Sequence, residues 1–158
     1  MLKSTPNDAT KKTKSAPKAL IKLLTVSAYC LLILFAIMSQ SEKQSVYING
    51  NKISVEIATT SQEKRRGLCC RENLAEKSGM LFVYSMPGDY RFWMKNTLIP
   101  LDIIWINSSK KIVHIEKNVQ PSSFPKSFVS PVEAQYILET NAGWVESNAI
   151  QIGDKATF

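Results

Sequence analysis

The stretch RFWMKNTLIPLDIIWI, residues 91–106, holds two tryptophans, one proline and a single acid, Asp102. RFWM reads as the start of a strand, Lys95-Asn96-Thr97 and Pro100 interrupt it, and Leu101 to Ile106 resume it. Apart from Asp102 the resumed strand is apolar at every position, so it must be covered on both faces. A chain with such a strand needs a layered, sheet-based body.

Outward from this stretch the pattern stays β-rich. Asn107 to Lys110 supplies a turn and KIVHIEK a partner strand, with Val113 and Ile115 expected on one face and His114 solvated on the other. Upstream, Pro87-Gly88-Asp89 is a turn signal after MLFVY, a short buried strand. SVYINGNKISVEIA places Asn49-Gly50 between two alternating runs, the signature of a hairpin. Thr60 and Glu63 form a capping box for a short helix over QEKRRGL, closed by Gly67, and ENLAEK predicts another helical turn. Downstream, Pro121, Pro125 and Pro131 break up a polar loop suited to a binding lip, and Gln135 to Glu139 is a strand. Asn141 is placed to cap a short helix through Trp144 and Val145, and Gly153-Asp154 turns into a last strand. The expected fold is α+β, mainly β: an antiparallel β-sandwich or barrel-like domain with one or two short helices.

The N-terminal part is different. Residues 23–41 carry no charge, and twenty residues counted from Ala19 make about 30 Å of helix, the thickness of a bilayer core. Six lysines precede this run, so the positive-inside rule keeps the leader in the cytoplasm. The expected division is a basic cytoplasmic leader over 1–18, a transmembrane anchor or signal sequence over 19–41, and an extracytoplasmic domain over 42–158. Two fates stand open: an uncleaved anchor, or secretion after cleavage near Ser39-Gln40-Ser41.

The net charge of +7 is concentrated in that leader, where +5 lies in residues 1–22, which leaves +2 for the rest. No run of cations interleaved with stacking aromatics occurs, so a nucleic-acid partner is not expected. Three cysteines make no disulfide framework. Cys69 and Cys70 are adjacent, and normal bridge geometry wants Cα atoms about 5.5 Å apart where the chain offers about 3.8 Å, so they read as unpaired. With one histidine, no metal site and no cofactor are expected.

RRGLCCRENL, GMLFVY, RFWMKNTLIPLDIIWI, YILETNAGW and a final GD, in this order, resemble the family of domains of unknown function numbered 192, over about residues 46–158. The resemblance implies a compact β-rich bacterial or archaeal domain, exported or membrane-tethered, and no particular activity. Cys69-Cys70 departs from the methionine or serine that follows Gly-Leu in such sequences.

Alternation along RFWM puts Phe92 and Met94 in the core and Trp93 opposite, beside Arg91 and Lys95. A tryptophan among cations suits a sugar or a small anion. The Asn96 amide could fix a ligand, or bond its own backbone at the turn. Asp102, as a buried acid, needs a cation or backbone donors, with Arg66 and Arg71 as candidate partners. Glu139 adds an acid near a strand end. The ligand-binding set is therefore Arg66, Arg71, Trp93, Lys95, Asn96, Asp102 and Glu139. The leading reading is an extracytoplasmic, membrane-tethered binding or accessory module for a carbohydrate or small anion, with enzymatic activity not expected. The alternatives are an envelope hydrolase with Asp102 or Glu139 as acid, and a protein-interaction domain using an apolar patch near Trp144.

Overall fold

The structure, a computed structural model, describes residues 43–158. The leader and the 19–41 segment lie outside the described residues, and among those described no helix is long and apolar enough to cross a membrane. The chain opens with the expected hairpin, β1 (Lys43–Ile48) and β2 (Asn51–Ala58). Asn49 and Gly50 both have positive φ, 50° and 77°, as a two-residue turn that follows strand twist requires. Helix α1 (Ser61–Arg66) follows. Thr60 Oγ1 accepts from Glu63 N at 3.2 Å while Glu63 Oε2 accepts from Thr60 N at 2.8 Å, and these bonds hold the Glu63 carboxyl below its ordinary range.

Next come β3 (Ser78–Gly88), β4 (Phe92–Trp93), β5 (Leu101–Ile106), β6 (Ile112–Val119), a 3-10 turn at Pro121–Ser123, and β7 (Ser127–Phe128). β8 (Ala134–Asn141), helix α2 (Trp144–Ser147) and β9 (Ala156–Thr157) complete the chain. Seven strands form one sheet in the order β6-β5-β8-β3-β2-β1-β9, and β4 pairs with β7 apart from it. Every pairing is antiparallel except β2 with β3, whose parallel direction needs the long crossover that carries α1. The sheet curls into a half-barrel. Its two edges meet at one corner, where Lys111 bridges Lys155 and Ala156 N donates to Lys110 O at 2.8 Å.

All six residues of β5 are buried, and its alternation divides two cores. Ile104 and Ile106 face the inside of the curl with Leu81, Leu138, Val46 and Ile53, where α2 adds Trp144 and Val145. Ile103 and Trp105 face outward among Phe82, Ile137, Phe92 and Met94. The outer core exists because the segment after β3 folds back over the sheet. Tyr90 stacks on Tyr84 with ring centroids 3.4 Å apart, Phe92 stands edge-on to Phe82 at 4.8 Å and Trp105 at 6.0 Å, and Trp105 Nε1 donates to Tyr90 O at 3.1 Å.

Several local expectations change. ENLAEK forms no helix, and Asn141 does not cap α2: it ends β8, its Nδ2 donating to Leu74 O and Ala75 O at 3.0 Å each, while Gly143 at φ 87° is the N-cap. Those bonds engage the 74–75 carbonyls from β8 in place of a helical turn. Pro87 and Gly88 belong to β3, which outruns the turn signal. Val113 does not share a face with Ile115. The β5–β6 register shifts so that Ile106 pairs with Ile112 but Trp105 with His114, leaving Val113 as the extra residue of a bulge. His114 is consequently half-buried, its ring 5.2 Å from that of Trp105 and its Nε2 3.2 Å from Glu116 Oε1. Trp144, at 8% exposure, belongs to the inner core and offers no surface patch.

Asp102 is the one acid of the inner face of β5, and neither Arg66 nor Arg71 reaches it. Backbone donors satisfy it: Oδ1 accepts from Asn118 N at 2.8 Å and Oδ2 from Val145 N at 2.9 Å. One carboxylate thus ties the end of β6 to α2, and both oxygens must accept. Asp102→Asn puts an amide donor against one of these N–H groups, and a loss of about 1–3 kcal/mol is expected in urea unfolding.

Candidate functional site

The backfolded segment has its own alternation. Phe92 and Met94 point into the outer core, so Arg91, Trp93 and Lys95 point away, and Trp93 is 53% exposed. α1 runs beside this segment and ends at Gly67, whose positive φ of 52° turns the backbone down to the sheet. A cleft of about 200 Å³ lies between them. Arg91, Trp93, Lys95 and Thr97 form one wall, and Lys64, Arg65, Arg66 and Leu68 the other. Phe82 and Tyr84 of β3 and Glu139 of β8 form the floor.

Glu139 arrives at the floor by register. It pairs with Met80 of β3 and with Ile103 of β5, on the outer face of the sheet. Asp102 pairs with Thr140 and therefore lies on the inner face, so the two acids are separated by the sheet itself. Glu139 is only 5% exposed, its carboxyl is perturbed by burial and by no hydrogen bond, and it forms no salt bridge among the described residues. Burial pushes its pKa up to about 8. Tyr84 is pushed up to about 12, by burial first and then by Tyr90 and Glu139. Lys64 sits 4.0 Å above the Tyr84 ring and has its pKa lowered by burial.

Of the residues singled out in the sequence, the cleft gathers Arg66, Trp93, Lys95 and Glu139, and it excludes three others. Arg71 forms a bidentate pair with Glu56 on β2, at 2.6 and 2.7 Å, which raises the guanidinium above its ordinary range through hydrogen bonding. Asn96 stands in the left-handed region at φ 57° and serves through its backbone, its carbonyl accepting from Cys70 N at 2.8 Å. Asp102 is on the other face. Lys64, Arg65 and Thr97 are cleft residues that sequence reasoning did not select. The basic run KRR beside Gly67 was the available signal, but only the parallel crossover shows that it opposes Trp93.

Cys69 and Cys70 are joined in a disulfide, contrary to the expectation that neighbours would stay unpaired. Their Cα atoms are 3.8 Å apart, and the turn is held by Cys70, with φ 65° and its N–H bonded to Asn96. No group of three or more potential metal ligands occurs among the described residues. A broader groove of about 750 Å³ lies between the β1–β2 turn and α2. Its amides are engaged internally: Asn51 Nδ2 with Asn49 O, Asn141 Nδ2 with Leu74 O, and Asn148 Nδ2 with Trp144 O. The groove is lined by Lys52, Lys77 and Glu76, charges of both signs, whereas the outer cleft gathers five cations, Lys64, Arg65, Arg66, Arg91 and Lys95.

Residues 44–158 match the DUF192 family, described as an uncharacterized ACR. Two solved structures share the fold. One is a protein of unknown function from Novosphingobium aromaticivorans DSM 12444, 31% identical, with a TM-score of 0.72 over 76% of this chain and 88% of that one. The other is a candidate transcription regulator from Sinorhizobium meliloti 1021, 31% identical, with a TM-score of 0.71 over 75% of this chain and 95% of that one. No curated protein matches the chain.

The buried acid makes stability fall as pH rises. Its folded pKa of about 8 exceeds the ordinary 4.5, so the native state holds a proton that the unfolded chain releases between these values. The contribution is fully present below pH 4.5 and is lost as pH rises through 8, at roughly 1 kcal/mol per pH unit. Urea unfolding of the wild type is expected to weaken between pH 5.5 and 8.5, and Glu139→Gln to flatten that slope.

Proposed function

The chain belongs to the DUF192 family, and from its outer cleft we propose a ligand-binding module, tethered to a membrane and facing out of the cytoplasm, that takes a small anion such as a sugar acid. One observation carries this reading. Lys64, Arg65, Arg66, Arg91 and Lys95 converge on one cleft, and none forms a salt bridge with an acid among the described residues. Such a concentration of one sign draws in counter-charge. The exposed face of Trp93 adds a surface for a sugar ring.

A hydrolase is the second reading, because a neutral Glu139 could donate a proton. Glycosidase chemistry needs a second carboxyl across the scissile bond. Glu139 is the single acid lining the cleft, and Asp102 faces the opposite side, so binding is favoured. The description of the Sinorhizobium relative raises nucleic acid as a partner. A confined cleft with one exposed aromatic suits a small ligand better than a strand of stacked bases. The interaction-domain reading loses its patch, since Trp144 is buried. Tethering rests on the uncharged 23–41 segment behind six lysines.

Two measurements test the proposal. In calorimetric titration with glucuronate, Trp93→Ala is expected to weaken binding about tenfold, and the Arg66→Glu, Lys95→Glu pair to abolish it, with thermal midpoints within a few degrees of wild type. Binding by the charge-reversed protein equal to wild type would sink the cleft. The full chain is also expected to stay in membranes after a carbonate wash. A mature mass beginning near Glu42 replaces the anchor with a cleaved signal.

A further inference from the structure

Glu139 has a feature that the cationic rim does not account for: a carboxyl at the bottom of an anion-attracting cleft, with no salt bridge among the described residues. Resting on the cleft reading above, we propose that Glu139 contacts the ligand as a neutral acid, donating its O–H to an oxygen of a fully ionised oxyanion held by the rim cations. The cleft would then admit such an anion only while Glu139 keeps its proton.

The geometry supports this assignment. Gly67 lies beside the acid, and a Cβ built there would stand 4.0 Å from Glu139 Oε2 and 3.5 Å from the Phe82 ring. Gly67 and the Phe82 ring thus wall the acid on that side. An oxyanion offers only acceptors, so an ionised Glu139 would repel it, whereas a protonated one satisfies both groups. The proton remains on Glu139 throughout, and no bond to carbon is made or broken.

The surrounding charges leave the acid to its burial. From α1 come Lys64, Arg65 and Arg66, and from the backfolded segment Arg91 and Lys95. Apart from half-buried Lys64 these are exposed, where solvent screens them. β3 contributes Tyr84, which stays neutral through physiological pH. Along the same row of the sheet, Glu56 pairs with Met80 and Glu116 with Ile103, and these two acids are engaged by Arg71 and His114.

The test is calorimetric titration of the full chain in detergent with glucuronate and with sulfate, both fully ionised across the range, at pH 7 and pH 9. Wild type is expected to bind about tenfold more weakly at pH 9, as a single proton lost near pH 8 dictates. Glu139→Gln keeps an N–H donor and cannot ionise, so its affinity is expected to be the same at both values. Binding of wild type that is equally tight at both values overturns the role of Glu139 while leaving the cleft as a site. The same tenfold loss in Glu139→Gln also overturns it and points to Lys64, whose pKa is lowered. Absence of wild-type binding to both probes at either pH overturns this inference and the cleft reading together.

Discussion

The structure depends on the double burial of β5. Six consecutive buried residues on one strand require apolar cover on both faces, and a single curled sheet can supply it on one face only. The inside of the curl covers Ile104 and Ile106 with β1, β2 and α2. Covering Ile103 and Trp105 falls to the chain after β3, which folds back and inserts Phe92 and Met94. Each fully buried side chain of this size contributes about 1.5–3 kcal/mol, enough to hold a segment with only two residues in strand form.

The cleft follows from that cover. A segment that buries alternate residues must present the others, so Arg91, Trp93 and Lys95 emerge together. The β2–β3 pair is parallel, so its connection must cross the sheet and brings α1 to the same side, its basic last turn opposite Trp93. The two covers do not meet over Glu139. An acid is tolerated there because it can stay neutral, and it lines the gap.

Local signals were legible where they act within a few residues. The Asn49-Gly50 hairpin, the Thr60–Glu63 capping box and the glycine stop at Gly67 form as expected, because each is a contact between neighbours in the chain. Expectations changed where a distant group intervened. Asn141 satisfies the backbone of residues 74–75 in place of capping α2, and the Val113 bulge reverses the faces of β6. Arg71 finds Glu56, and Asp102 finds two backbone N–H groups. A buried acid needs donors, which sequence predicts, but their identity depends on which strands adjoin.

The sequence by itself determined the period-two burial of RFWM and the two-sided burial of LDIIWI, and with them a mainly β body, the buried Phe92, Met94, Ile103 and Trp105, and the exposed Trp93. These are properties of strand geometry and hydrophobicity, which need no partner to be read. Tertiary structure decided that Asp102 and Glu139 occupy opposite faces, that the KRR run confronts Trp93, and that the acid in the cleft is Glu139. Those outcomes depend on strand order and on crossover direction. Both are fixed by long-range pairing, where a shift of one residue moves a side chain to the other side of the sheet.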